Sequence, residues 1–130
     1  MIQPIPGSVV AIKCWWGEHW GIVAGDYGRL TIISNRGIKG GVTEEPWDDV
    51  VGAAEWRTVD TPATTLPAYL VVARARSMIG TRYNFRTWNC QDHVFWALGL
   101  QPQSPQRDGV VGLLGVVCVV MFVGIAGKRG

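Results

Sequence analysis

The chain has 130 residues, enough for one domain with its own core and too few for two ordinary ones. Only 17% of the residues are charged and the formal net charge is +2, so the basic footprint expected of a nucleic-acid binder is missing. The three cysteines, Cys14, Cys90 and Cys118, lie far apart without CxxC spacing, which argues against a metal site and a disulfide framework and fits a reducing compartment.

Residues 1–7 ("MIQPIPG") carry neither the basic region nor the apolar run of a secretory signal. Residues 8–16 ("SVVAIKCWW") are rich in β-branched and aromatic types and read as a strand stopped by Gly17. A second strand covers residues 19–25 ("HWGIVAG"), and alternation puts His19, Gly21 and Val23 on one face and Trp20, Ile22 and Ala24 on the other. After the turn residues Asp26, Tyr27 and Gly28 comes a third strand, residues 29–34 ("RLTIIS"), giving an antiparallel meander.

Residues 37–49 ("GIKGGVTEEPWDD") read as a polar, glycine-rich connection, and residues 54–60 ("AEWRTVD") as another short strand before a Pro/Thr-rich linker. The apolar spacing of residues 68–79 predicts a helix ended by Gly80. Residues 81–88 ("TRYNFRTW") alternate like a strand, and residues 90–98 ("CQDHVFWAL") predict a second helix ended by Gly99. Residues 102–108 read as a polar hinge.

The domain expected over residues 1–101 is followed by an uncharged apolar segment, residues 109–127 ("GVVGLLGVVCVVMFVGIAG"). As a helix at about 1.5 Å per residue it would be roughly 28 Å long, near the ~30 Å hydrocarbon core of a bilayer. A membrane-associated tail is therefore expected, and its glycines would let such helices pack closely, including as a homodimer.

Cys90 stands at the start of a predicted helix, where backbone N–H groups and the dipole stabilise an anion, and Asn89 before it is a natural N-cap. That is a setting for a nucleophilic thiolate, which needs a base. The chain holds two histidines. His93, three residues along the same helix, would point beside the thiol; His19, on a strand against which the helix would pack, is the better candidate, with Trp20 on the opposite face of that strand.

The segments "HWGIVAGD" and "NCQDHVFWALG" resemble the H-box and NC motifs of the lecithin:retinol acyltransferase-like family, over roughly residues 7–100. The resemblance implies an α+β, circularly permuted papain-like (NlpC) fold, with an antiparallel sheet of about four to six strands on two to three helices. It implies Cys90 as nucleophile and His19 as base for acyl transfer from phospholipids, with no cofactor and no metal, and an apolar C-terminal anchor. Family enzymes carry a third polar residue on the strand after the H-box, usually a second His. Here that strand offers Thr31, Ser34 or Asn35, none of them able to carry the charge of a carboxylate or imidazole.

The short chain and divergent middle look most like the 2A proteins of certain picornaviruses, the kobuviruses in particular. That likeness implies a role in viral RNA replication at intracellular membranes of the host-cell cytoplasm, with host and viral replication proteins as partners and no protease activity. Two functions fit these features: a binding module whose acyltransferase site is lost or impaired, and an active thiol phospholipase or acyltransferase. RNA binding through Arg74, Arg76, Arg82 and Arg86 is a weaker third; those arginines fit a solvated face better.

Overall fold

The computed structural model describes residues 3–26, 28–60, 64–102 and 104–107. The apolar segment expected at 109–127 lies outside them. Among the described residues no helix is long and apolar enough to cross a membrane.

A five-stranded antiparallel sheet forms the centre, built from β1 (Val9–Cys14), β2 (Gly17–Asp26), β3 (Arg29–Arg36), β4 (Gly41–Pro46) and β5 (Trp56–Val59) in the order β4-β3-β2-β1-β5. Among the described residues, the sheet is accompanied by α1 (Trp47–Val50), α2 (Ala68–Ser77), α3 (Cys90–Ala97) and one 3-10 turn (Gly37–Lys39), and residues 105–107 are also helical. The protein is thus α+β, as the sequence predicts.

Both faces of the sheet are covered. On one side, Val9, Ala11, Trp20, Ile22, Ala24, Ile33 and Val42 pack against Val71, Val72 and Ala75 of α2 and against Cys90, Val94 and Phe95 of α3. On the other, Val10, Ile12, Val23 and Ile32 pack with Val51, Trp47 and Trp56. Strands buried on both faces read as continuous apolar runs, which explains why "VVAI" and "GIVA" show little polar alternation.

The β1–β2 register is set by a two-residue turn at Trp15 and Trp16, with Cys14 opposite Gly17, Ile12 opposite His19 and Ala11 opposite Trp20. At the β2–β3 turn, Asp26 Oδ1 accepts from the backbone of Gly28 (3.1 Å) and Arg29 (3.0 Å), the local hydrogen bonding that makes Asp a turn residue. α3 stops where glycine permits a left-handed backbone, at Gly99 (φ 78°), whereas α2 ends at Ser77 with Met78 as its cap, and Gly80 (φ 93°) lies in the turn beyond, its N–H donating to the Val42 carbonyl of β4 (3.1 Å).

Three expectations need correction. The stretch 37–49 is no plain connection: it holds the 3-10 turn, edge strand β4 and α1. Its strand hides in polar residues because Glu44 and Glu45 are bonded sideways, Glu44 to Thr31 and Arg76 and Glu45 to Arg36. Charged side chains of this kind suit an edge strand. Residues 81–88 form no strand: Asn84 Oδ1 accepts from the backbone of Arg86 and Thr87, turning the chain so that Asn84 pairs with Trp88. And within the expected hinge, Ser104, Gln106 and Arg107 are bonded to the domain.

Candidate functional site at the start of the third helix

Asn89 caps α3 as its sequence position predicts. Its Oδ1 accepts from the backbone N–H of Gln91 (3.0 Å) and Asp92 (3.2 Å), and Asp92 returns the bond by accepting from Asn89 N (2.9 Å), completing a capping box. Asn35 reaches across from β3 and donates to the carbonyls of Trp88 (2.8 Å) and Asn89 (3.3 Å), which fixes the chain entering the helix. Asn35 therefore positions the Cys90 turn and does not meet His19.

Cys90 is the first residue of α3, 3% exposed and part of the core that includes Trp20 and Phe95. Burial pushes its thiol up to about 12, against the opposite pull of the backbone N–H groups of Trp20, Gln91 and Cys90 itself. Removal from water outweighs the helix N-terminus here, because an anion without a charged partner is penalised most in an apolar setting. The space next to it is a gap of about 10 Å³ bounded by Trp16, Tyr83, Phe85, Asn89, Ser104 and Gln106, with no room for a substrate chain.

His19 lies elsewhere. Its Nε2 is hydrogen-bonded to Ser34 Oγ at 3.0 Å, and it borders a cavity of about 130 Å³ with Ile12, Cys14, Arg36 and Val50, on the side of the sheet packed by α1. The imidazole is held down at about 4, first by burial and then by the Arg36 charge, so it is neutral at physiological pH. Trp20, one residue on, faces the helices and stacks on Phe95 with ring centroids 6.2 Å apart.

The expected orientation of the strand is thus reversed: Trp20 points toward Cys90, and His19 points away through the other face. General-base catalysis needs heavy atoms within about 2.6–3.2 Å, directly or through one water, and a strand separates these two side chains. Of the three candidate third members, only Ser34 touches His19. Thr31 donates to Glu44 (2.7 Å) instead, next to the bidentate Arg76–Glu44 pair.

His93 is fully buried, as a packing residue would be. Its Nε2 donates to the Ala75 carbonyl (3.1 Å), and its ring meets Trp88 edge-on at 5.9 Å. Burial lowers its pKa to about 4. The arginines considered for RNA are partly engaged within the fold: Arg74 lies 4.3 Å over the Trp96 ring, and Arg76 is paired with Glu44. Among the described residues no cluster of three or more His, Cys, Asp or Glu could hold a metal ion.

Sequence reasoning missed Gln91, Ser104, Gln106 and Arg107. These polar residues close over the Cys90 turn through contacts as distant in sequence as Glu18 and Gln106, and no local pattern announces them. No protein-family model matches the sequence, and comparison with curated proteins returns no match.

Proposed function

We propose that this chain is an H-box/NC protein of the picornaviral 2A type, most like those of kobuviruses, that keeps a permuted papain-like scaffold as a binding module. In this reading the acyltransferase site is lost, and the protein is not a protease. It acts in viral RNA replication at intracellular membranes of the host cell, held there by residues 109–127, with host and viral replication proteins as partners.

The observation that carries the reading is the parity of β2, which turns His19 toward Ser34 and Arg36 and puts Trp20 against the core holding Cys90. A thiol near 12 and an imidazole near 4, on opposite faces of a sheet, support the reading that the ion pair required for thiol catalysis is lost. The motif order, with the H-box on a central antiparallel strand and the NC pair opening a helix on that sheet, supports the family reading of the scaffold.

The test is chemical and genetic together. Incubated with phosphatidylcholine vesicles, the purified protein is expected to form no acyl-enzyme. Cys90→Ala should leave replication intact, whereas deletion of residues 109–130 should abolish it. An acyl adduct that disappears in Cys90→Ala would overturn the reading in favour of a thiol phospholipase.

A further inference from the structure

Residues 104–107 cross the mouth of the Cys90 turn, held there by polar groups of β2 and α3. Gln106 lays its side-chain amide along the backbone of Glu18 in β2, accepting from Glu18 N (3.1 Å) and donating to Glu18 O (2.9 Å). A Cβ on Gly17 would collide with Gln106 Oε1, so a glycine at this corner is what lets the amide dock.

The same segment is tied to α3. Gln91 Oε1, on a side chain almost wholly buried, accepts from Ser104 Oγ (2.7 Å) and from Gln106 N (3.0 Å). Arg107 donates to Asp92 Oδ2 (2.6 Å), the carboxylate oxygen that also completes the capping box. Ser104 and Gln106 are two of the walls of the gap beside Cys90; Trp16, Tyr83 and Phe85 form the aromatic remainder.

These attachments are hydrogen bonds and one ion pair. The neutral hydrogen bonds among them can be exchanged for bonds to water at a small net cost and the largely buried Arg107–Asp92 pair at a larger one, whereas the core beneath is held by apolar burial. A closure fastened in this way opens locally, at a smaller free energy than unfolding the domain.

We propose that residues 104–107 are a reversible strap that shuts the Cys90 end of α3, and that its release uncovers the thiol and the aromatic mouth formed by Trp16, Tyr83 and Phe85 while the domain stays folded. The strap hides a site whether that site binds a partner or reacts, so this inference stands independently of the lost-enzyme reading.

The experiment uses the full chain with Cys14→Ser and Cys118→Ser, leaving Cys90 as the one thiol, and follows its labelling by N-ethylmaleimide in increasing, sub-denaturing urea. Gln106→Ala and Arg107→Gln are each expected to speed labelling at least about tenfold, a 1.4 kcal/mol change in the opening equilibrium. The rate should have a shallow urea dependence, since little surface is exposed in the opening step. Unchanged labelling in both variants, in proteins with native circular dichroism, would overturn the proposal. So would a urea slope equal to that of global unfolding, because Cys90 would then be reached only through the unfolded chain.

Discussion

The two faces of the sheet treat chemically similar material in opposite ways. On the helix side, Cys90, His93 and Asp92 are all within a few per cent of complete burial and have been absorbed into packing and capping. On the α1 side, His19, Ser34, Arg36 and Glu45 form a polar patch next to an open cavity, with Arg36 paired to Glu45 at 2.8 Å. A motif whose halves would have to meet is split by strand parity, and parity is set by the short turn at Trp15 and Trp16. A one-residue difference in register decides whether a strand offers a base or an indole to the helix beneath it.

Substitutions at neighbouring positions of β2 separate the two faces. Trp20→Ala should cost about 3–5 kcal/mol in urea denaturation, because a large buried ring stacked on Phe95 leaves a cavity. His19→Asn, one position away, should cost about 1 kcal/mol, the scale of the Ser34 hydrogen bond. Equal costs, or a larger one at His19, would mean that the two side chains are placed the other way round.

Acid should act on both faces in the same direction. His93 titrates at 6.5 when unfolded and at about 4 when folded. Above pH 6.5 the ring is neutral in both states and the group has no effect. As pH falls from there, the unfolded chain takes up a proton that the folded one refuses, so stability drops, by about 3 kcal/mol at pH 4, and levels off below. His19, depressed in the same way, adds to the fall. The unfolding midpoint against pH checks this, and His93→Gln should flatten the curve.

Smaller effects sharpen the picture. Asn89→Ala removes the N-cap acceptor of α3 and should cost about 1 kcal/mol in the same denaturation assay. Arg57→Ala breaks a bidentate pair with Glu18 at the exposed end of the sheet and should change stability by no more than about 0.5 kcal/mol, since water screens it.

Much of the fold was legible. The meander of β1 to β3, the helices opening near Ala68 and Cys90, the Gly99 stop and the Asn89 cap all follow from local chemistry that the sequence displays directly. β4 was not, because an edge strand whose glutamates are bonded to Thr31, Arg36 and Arg76 looks like a loop in one dimension. The segment 81–88 deceived in the other direction: its alternation is real, and a single Asx turn at Asn84 overrides it. At the candidate site, the sequence identifies His19, Ser34, Asn35 and Cys90 as special positions. Which of them meet depends on the face each strand residue takes and on long-range closure by Gln106, neither of which any local spacing encodes.

Cys90 is a buried thiol, and His19 is bonded to Ser34 on the other face of the sheet. The most direct measurement is an NMR titration of the Cys90 13Cβ shift in the wild-type protein and in His19→Asn. The expected result is a protonated thiol through about pH 9 in both, with no difference between them. A thiolate signal near pH 7 that vanishes in His19→Asn would contradict the account and restore the pair as a working catalytic dyad.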